Sequence, residues 1–237
     1  MIGTAIRDLF LPCVCVSCDS EMSDGIVCEL CWARIPALPA PRCERCGHPA
    51  RGEACVYCRI LPPFVRAARS ACWVPHPVAS AAVHALKYDG WVSVSRGMAA
   101  RMARLSWPQD VVEERTALVP VPLARTRLRE RGYNQAAVLA RELARHWAIP
   151  CWEDVVLRGI NTTTQTRLTP SERSTNVHHA FRANFETHAR LEGAHLVLVD
   201  DVLTTGATLN AAAGALFEAG ARIVSYVTFG RARTAAD

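Results

Sequence analysis

Lysine is almost missing from this chain: Lys87 is the one lysine among 27 basic residues in 237. A phosphate loop of the G-x-x-x-x-G-K-S/T type is thereby excluded, since its lysine must reach the β and γ phosphates and Lys87 stands instead in Ala85-Leu-Lys-Tyr-Asp-Gly90. The preference for arginine reads as a compositional bias rather than as chemistry. Long apolar stretches are missing as well. None approaches the roughly 18 residues of a membrane-spanning helix. Met1 to Phe10 sets Arg7 and Asp8 beside a short apolar run, without the long core or small-residue cleavage site of an export signal. A cytoplasmic protein with no stable membrane insertion is expected. Large apolar side chains are scarce over residues 1–63, so burial alone gives that segment too little to fold on. The rest of a chain that is 50% hydrophobic can bury one substantial core. The expected division is a small module over 1–63 and an α/β domain over 64–237, with Leu61-Pro-Pro63 as the linker.

What the first segment has instead is cysteine. Eight of the 11 cysteines fall in four C-x-x-C pairs, Cys15/Cys18, Cys28/Cys31, Cys43/Cys46 and Cys55/Cys58. Two thiolates three residues apart on a tight turn reach one tetrahedral ion, and two such turns complete the four-coordinate shell of a structural zinc site. Nine residues separate the first two pairs and eight the second two, so sequential pairing into tandem zinc ribbons is the simplest arrangement, with one or two Zn2+ ions. Crossed pairing, His48 replacing a cysteine, a redox dithiol and a single ion stay open at this point. In zinc-finger peptides such an ion contributes roughly 10–16 kcal/mol of folding free energy. Four cysteine ligands leave no open position, so the zinc role is structural. Cys13, Cys72 and Cys151 stand outside the pattern and read as core fillers.

The formal net charge of +5 is unevenly placed, with 11 basic groups against 5 acids in residues 64–135 and near balance on either side. Eight thiolates around two zinc ions would bring the whole chain to about +1, which argues against ribbons gripping nucleic acid by charge alone. Arg125, Arg127, Arg129 and Arg131 make a better anion site, with a solvated helix face as the plain alternative.

The most informative stretch is His195-Leu-Val-Leu-Val-Asp-Asp-Val-Leu-Thr-Thr-Gly-Ala-Thr-Leu209. Leu196 to Val199 form the continuous apolar run of a parallel strand covered on both faces, and Ala207 to Ala219 carry helix formers up to Gly220. The turn between them falls over Asp200 to Gly206. Thr204, Thr205, Gly206, Ala207 and Thr208 can point successive N–H groups and hydroxyls at one phosphate, where a helix start favours an anion. Asp200 and Asp201 precede that loop and can accept from the 2′ and 3′ hydroxyls of a ribose whose 5′ phosphate sits in it. The plain alternative is an acidic turn in which Asp201 caps the helix.

Elsewhere the pattern predicts a strand over Ala67 to Val74, a helix from Pro77 through Leu86 with Lys87 at its end, and an amphipathic helix over Trp91 to Leu105. A buried strand follows at Ala117 to Val121, then a basic loop from Arg125 to Asn134 and a helix from Gln135 to Trp147. The polar run Asn161 to Asn176 is too long for an ordinary connection and reads as a lid. A hairpin joining Phe181 to Phe185 with Leu191 onward, and a last core strand over Ile223 to Phe229, complete the expectation.

Val197-Leu-Val-Asp-Asp-Val-Leu-Thr-Thr-Gly-Ala-Thr208 resembles the phosphoribosyl-diphosphate (PRPP) motif of type I phosphoribosyltransferases. With the cysteine pairs, Ala85 to Tyr88, Val119-Pro-Val-Pro122 and Arg129-Glu-Arg-Gly-Tyr-Asn-Gln135, nearly the whole chain is similar to the ComF family of competence-associated, GntX-like proteins. No departure from the family pattern occurs in those segments. The resemblance implies a type I phosphoribosyltransferase-like parallel sheet flanked by helices, an N-terminal zinc-ribbon module with four-cysteine sites, and a role in uptake of transforming DNA. It implies that Val202 to Thr208 contact PRPP, that Lys87, Arg131 and Gly132 serve the diphosphate, and that Gln165, Arg167, Arg173 and Asn176 belong to a hood. For Lys87 a cation favoured by a helix C-terminus is the equally plain role. The expected chemistry is binding of PRPP with Mg2+ and transfer of its phosphoribosyl group to a nitrogenous acceptor, with Asp200 and Asp201 orienting the sugar and offsetting its developing positive charge. The alternative is a non-catalytic DNA-uptake factor that binds single-stranded DNA and senses PRPP; the ribbons could also dock DNA-uptake protein partners. The acceptor base and the oligomeric state are not written in the sequence.

Overall fold

The computed structural model describes residues 14–50, 55–159 and 180–233. Its centre is a four-stranded, wholly parallel sheet built from β1 (Val65–Val74), β2 (Arg115–Pro120), β5 (His195–Leu203) and β6 (Ile223–Ala232), in the spatial order β1-β6-β5-β2. One further parallel bridge, Leu118 to Cys151, lies beyond β2. A separate antiparallel pair joins β3 (Val156–Arg158) to β4 (Phe181–Ala183). The helices are α1 (Glu29–Arg34), α2 (Pro77–Tyr88), α3 (Val94–Ala103), α4 (Gln109–Glu114), α5 (Arg125–Arg131), α6 (Gln135–Trp147), α7 (His188–Leu191) and α8 (Ala207–Glu218).

The apolar strand residues sort by the two-residue period of an extended chain. In β5, Val197 and Val199 join a core with α2, α3 and α6, whereas Leu196 and Leu198 join a second core with α8 on the opposite face. Val227 and Phe229 of β6 follow the first pair, Val224 and Tyr226 the second. A parallel sheet covered on both faces needs continuous hydrophobic strands, which is why Leu196 to Val199 have no polar member.

The cysteine segments are part of this structure. Cys15, Ile26, Val27, Cys31 and Ile35 are buried in the first core, and Cys46 and Leu61 in the second, so the two ribbons pack on opposite faces of the sheet, the second at its β1 edge. The backbone of the second ribbon closes that edge: Ala68 N donates to Arg45 O at 2.7 Å, and the Arg69 guanidinium donates to Glu44 O at 2.7 Å. Arg101 of α3 donates to the carbonyls of Trp32, at 2.8 Å, and Ile35. Leu61, expected in a linker, is 5% exposed.

Three sequence expectations are corrected. Arg125–Arg131 is helix rather than loop, because good helix formers, an Arg127–Glu130 ion pair at 2.9 Å and a left-handed Gly132 at its C-terminus stabilise it without an apolar stripe. Phe181–Ala183 pairs with Val156–Arg158 rather than forming a hairpin with Leu191, which belongs to the short helix α7. The motif strand runs on through Leu203, so Asp200 and Asp201 are strand residues and the turn shrinks to Thr204–Gly206. In addition, the helix placed over Trp91 to Leu105 is confined to Val94–Ala103. Residues 160–179, with Gln165, Arg167, Arg173 and Asn176, and residue Cys13 lie outside the described residues.

The shared cores predict one cooperative unit. Arg101→Ala, which removes two charge-assisted bonds from a partly buried guanidinium, should lower stability by about 1–3 kcal/mol. Zinc release and loss of sheet circular dichroism should still share one urea midpoint. Separate midpoints in the native chain would show that the ribbons fold independently.

Candidate functional site

The topology marks where a ligand belongs. From β2 the chain leaves through α6 toward Cys151 on the outer side, whereas from β5 it leaves through α8 to β6 on the other side. The two neighbouring strands thus send their connections in opposite directions. The crevice at such a switch point, at the carboxyl ends of the strands, is the general ligand position of open α/β sheets.

From β5 the crevice receives Thr204 and Thr205, both exposed, and Gly206 with φ 80° and ψ −4° as the N-cap of α8. This left-handed conformation favours glycine. Leu203 is buried, Val202 is half-buried, and Ala207 and Thr208 open the helix. The first N–H groups of a helix have no intrahelical acceptor; here Ala207 N makes only a long contact to the Thr205 hydroxyl, at 3.4 Å. The helix start and the exposed threonines leave backbone N–H groups and hydroxyls open on the crevice, the chemistry that suits an anion, and the cap is Gly206 rather than Asp201.

Neighbours in an extended strand point to opposite faces, and the two aspartates do so. Asp201, 4% exposed, turns to the α2 face and forms an ion pair with Lys87 Nζ at 2.9 Å. Asp200 accepts from Asp201 N at 2.8 Å and lies where the Arg158 charge is felt. Burial, reinforced by the Asp201 charge, raises the Asp200 carboxyl to about 7; Asp201 N, Lys87 and Arg158 oppose that rise.

Lys87 also opens onto a cleft of about 320 Å3 with Tyr88, Asp89, Gly90, Arg127, Glu130, Arg131 and Tyr133. The Tyr133 hydroxyl donates to Leu86 O and locks the α5–α6 turn against the end of α2. Arg131 donates to Gln135 Oε1 at 2.8 Å and lies 5.2 Å over the Tyr88 ring. Gly132 is exposed, with φ 77°. Lys87 and Arg131 therefore line one cleft on the side that Asp201 faces, whereas Gly132 ends α5 outside its lining. Tyr88, Tyr133 and Arg158 are site neighbours to which sequence reasoning assigned no role; the first two lie within segments already singled out, but nothing local marks Arg158.

The eight paired cysteines form two groups, Cys15, Cys18, Cys28 and Cys31, and Cys43, Cys46, Cys55 and Cys58, the ligand atoms of each lying within 4.8 Å of one another. The sulfurs of Cys18 and Cys28 are 3.8 Å apart, those of Cys43 and Cys58 3.3 Å, and those of Cys46 and Cys55 3.4 Å. Tetrahedral zinc with Zn–S near 2.3 Å sets S···S at about 3.8 Å, and a disulfide would need about 2.05 Å. Sequential pairing is what the structure contains, and His48 stacks on Tyr57 outside both groups. Burial, with neighbouring thiols, pushes Cys31 up to about 12 and also raises Cys46. Four such sulfurs become thiolates together only around a cation, which the donor set fits as zinc.

Residues 6–62 match the double zinc ribbon domain and residues 130–237 the phosphoribosyl transferase domain. The DNA utilization protein YhgH of Salmonella typhimurium is 31% identical over 229 residues, covering 91% of this chain and 96% of that protein. The chain belongs to the ComF family. Its other relatives include the competence protein ComFC of Bacillus subtilis, 26% identical over 227 residues, covering 87% of this chain and 90% of that one. Competence protein F of Haemophilus influenzae is 40% identical over 94 residues, 40% of this chain and 41% of that one.

In this ComF-family chain the raised Asp200 carboxyl gives a pH signature. Folding holds an extra proton between the ordinary value of 3.8 and about 7, so the associated stability is complete at the acid end and is lost as pH rises through the folded value. Asp200→Asn should therefore raise the melting temperature relative to the native chain at pH 8 and leave it unchanged near pH 4. A difference of the opposite sign at pH 8 would show Asp200 to be stabilised as the anion.

Proposed function

We propose that this protein binds PRPP with Mg2+ and transfers the phosphoribosyl group to a nitrogenous acceptor. The observation that carries this reading is the Gly206-led start of α8 at the carboxyl end of β5, directly after an Asp200–Asp201 pair whose second member faces Lys87. In the reading, the 204–208 turn holds the 5′ phosphate, and the two carboxylates orient the ribose and offset positive charge as diphosphate leaves the anomeric carbon. Lys87 and Arg131 face the departing diphosphate, and Arg is suited to bidentate phosphate contact. Hard carboxylate oxygens and the ligand's own phosphates suit Mg2+, which when bound would neutralise diphosphate charge. The domain division at residues 63 and 64 is retained as a functional one only, since the two parts share cores. Reduced thiols around zinc favour a cytoplasmic setting, and among the described residues no helix is long and apolar enough to cross a membrane.

Calorimetric titration of Mg·PRPP into the native chain and into Asp200→Asn/Asp201→Asn tests this. Saturable binding that the double variant weakens by about tenfold or more is expected, each lost charge-assisted bond counting for about 1.5–3 kcal/mol. Equal binding to both, or none to either, would remove the reading. Diphosphate release with a panel of nitrogenous acceptors, followed by phosphorus NMR, then reports turnover.

A second reading is supported by the exposed Arg125, Arg127 and Arg129 of α5 and by the names of the relatives, which concern DNA utilization and competence. In it the same protein holds single-stranded DNA through α5. Binding should then weaken with salt, and Arg127→Ala/Arg129→Ala should reduce the magnitude of the log–log slope by about 1–2, at about 0.7 per single-strand phosphate contact. An unchanged slope counts against this surface.

A further inference from the structure

Asn210 ties the second ribbon to the phosphate-loop helix by its side chain and to the loop by its backbone. It lies in the first turns of α8, where Asn210 N donates to Gly206 O at 2.8 Å and so closes the helix onto its N-cap. Its carboxamide packs beneath Gly206, with Nδ2 3.6 Å and Oδ1 3.7 Å from where a Cβ would stand on that glycine. From there Nδ2 donates to Ile60 O at 2.6 Å, across 150 residues of sequence. On its other side Oδ1 accepts from the Tyr226 hydroxyl at 3.0 Å. Tyr226 is fully buried in β6 and Ile60 ends the short 3-10 turn Val56–Ile60 that carries Cys58. Leu61 N donates to Cys58 O at 3.1 Å within the same turn. One amide thus bridges a metal-ligand turn, the centre of the sheet and the left-handed glycine that starts α8.

Asparagine is a poor choice for a helix interior, because its side chain competes for backbone bonds. Surrounding positions of α8, Ala207, Ala211, Ala212 and Ala213, are alanine. With both ends of the amide engaged, Asn210 has a tertiary purpose that its helix does not supply. Ile60 O has a fixed place only if the 3-10 turn does, and that turn is pinned through Cys58 to the group Cys43, Cys46, Cys55 and Cys58.

We propose that Asn210 is a positioning residue through which the metal site of Cys43, Cys46, Cys55 and Cys58 sets the phosphate-binding geometry of the 204–208 turn. Phosphate affinity then depends on metal in that second site, and by linkage phosphate is felt at the metal. The inference rests on the phosphate role given above to that turn.

The test uses the full-length zinc-loaded chain with ribose 5-phosphate as the probe. Asn210→Ala should keep its zinc content and weaken ribose 5-phosphate binding by about tenfold, the order expected when two hydrogen bonds that fix a loop are lost. A purely structural role would not move a metal signal. In cadmium-substituted protein, ribose 5-phosphate should shift the cadmium NMR line of the second site in the native chain, leave the first-site line in place, and shift neither in Asn210→Ala. Tyr226→Phe, which removes only the hydroxyl on the acceptor side, should show a smaller loss of the same kind and decides the matter if Asn210→Ala does not fold. Native-like affinity and an undiminished cadmium shift in the variants overturn the coupling while leaving the phosphate site intact. Absence of ribose 5-phosphate and Mg·PRPP binding in the native chain overturns the phosphate role and the coupling with it.

Discussion

The coverage of β5 on both faces is the constraint from which the rest follows. A central strand with α2, α3 and α6 on one side and α8 on the other must be apolar along its length, and Leu196 to Val199 are fully buried. Where that strand leaves the core it carries two carboxylates, one on each face. A buried carboxylate either finds a cation or keeps its proton, and the two aspartates divide these solutions. Asp201 pairs with Lys87, while Asp200, with no cation in direct contact and the Asp201 charge beside it, holds its proton to higher pH. Opposite charges from α2 and β5 thus meet at one crevice, beside the start of α8.

The same constraint explains the ribbons. An edge strand presents unpaired backbone groups that natural sheets cover or blunt, and β1 is such an edge. Arg45 O takes its Ala68 N–H, and the two ribbons bury apolar residues against opposite faces of the sheet. Zinc supplies order that a cysteine-rich segment poor in large apolar groups cannot obtain from burial. The second ribbon touches the sheet edge through Arg45 and, through Ile60 and Asn210, the start of α8.

Local signals are legible where they are dense. The helix Gln135–Trp147 has a clear apolar stripe and an Asn134 side chain that accepts from Ala136 N, and both its ends agree with the pattern. The cysteine groups follow from spacing because four thiols on two turns have few ways to meet. By contrast, Arg125–Arg131 lacks a stripe, so its helicity rests on propensity and a glycine stop, which are weak signals in a polar run. The β3–β4 pairing spans a segment with no turn signature of its own, and register between distant strands is set by packing.

The amino-acid order alone determined the two cysteine quartets, the buried strand, the acidic pair, the small-residue turn and the helix after it, because each depends on neighbours within a few positions. Only the tertiary structure decided that Lys87 meets Asp201 rather than merely ending its helix, that Asp200 and Asp201 face opposite ways, and that Asn210 touches Ile60. Those outcomes depend on the pleat, on how far the strand extends before it turns, and on which helix end packs beside it. These are properties of the whole sheet sandwich, and no single segment encodes them.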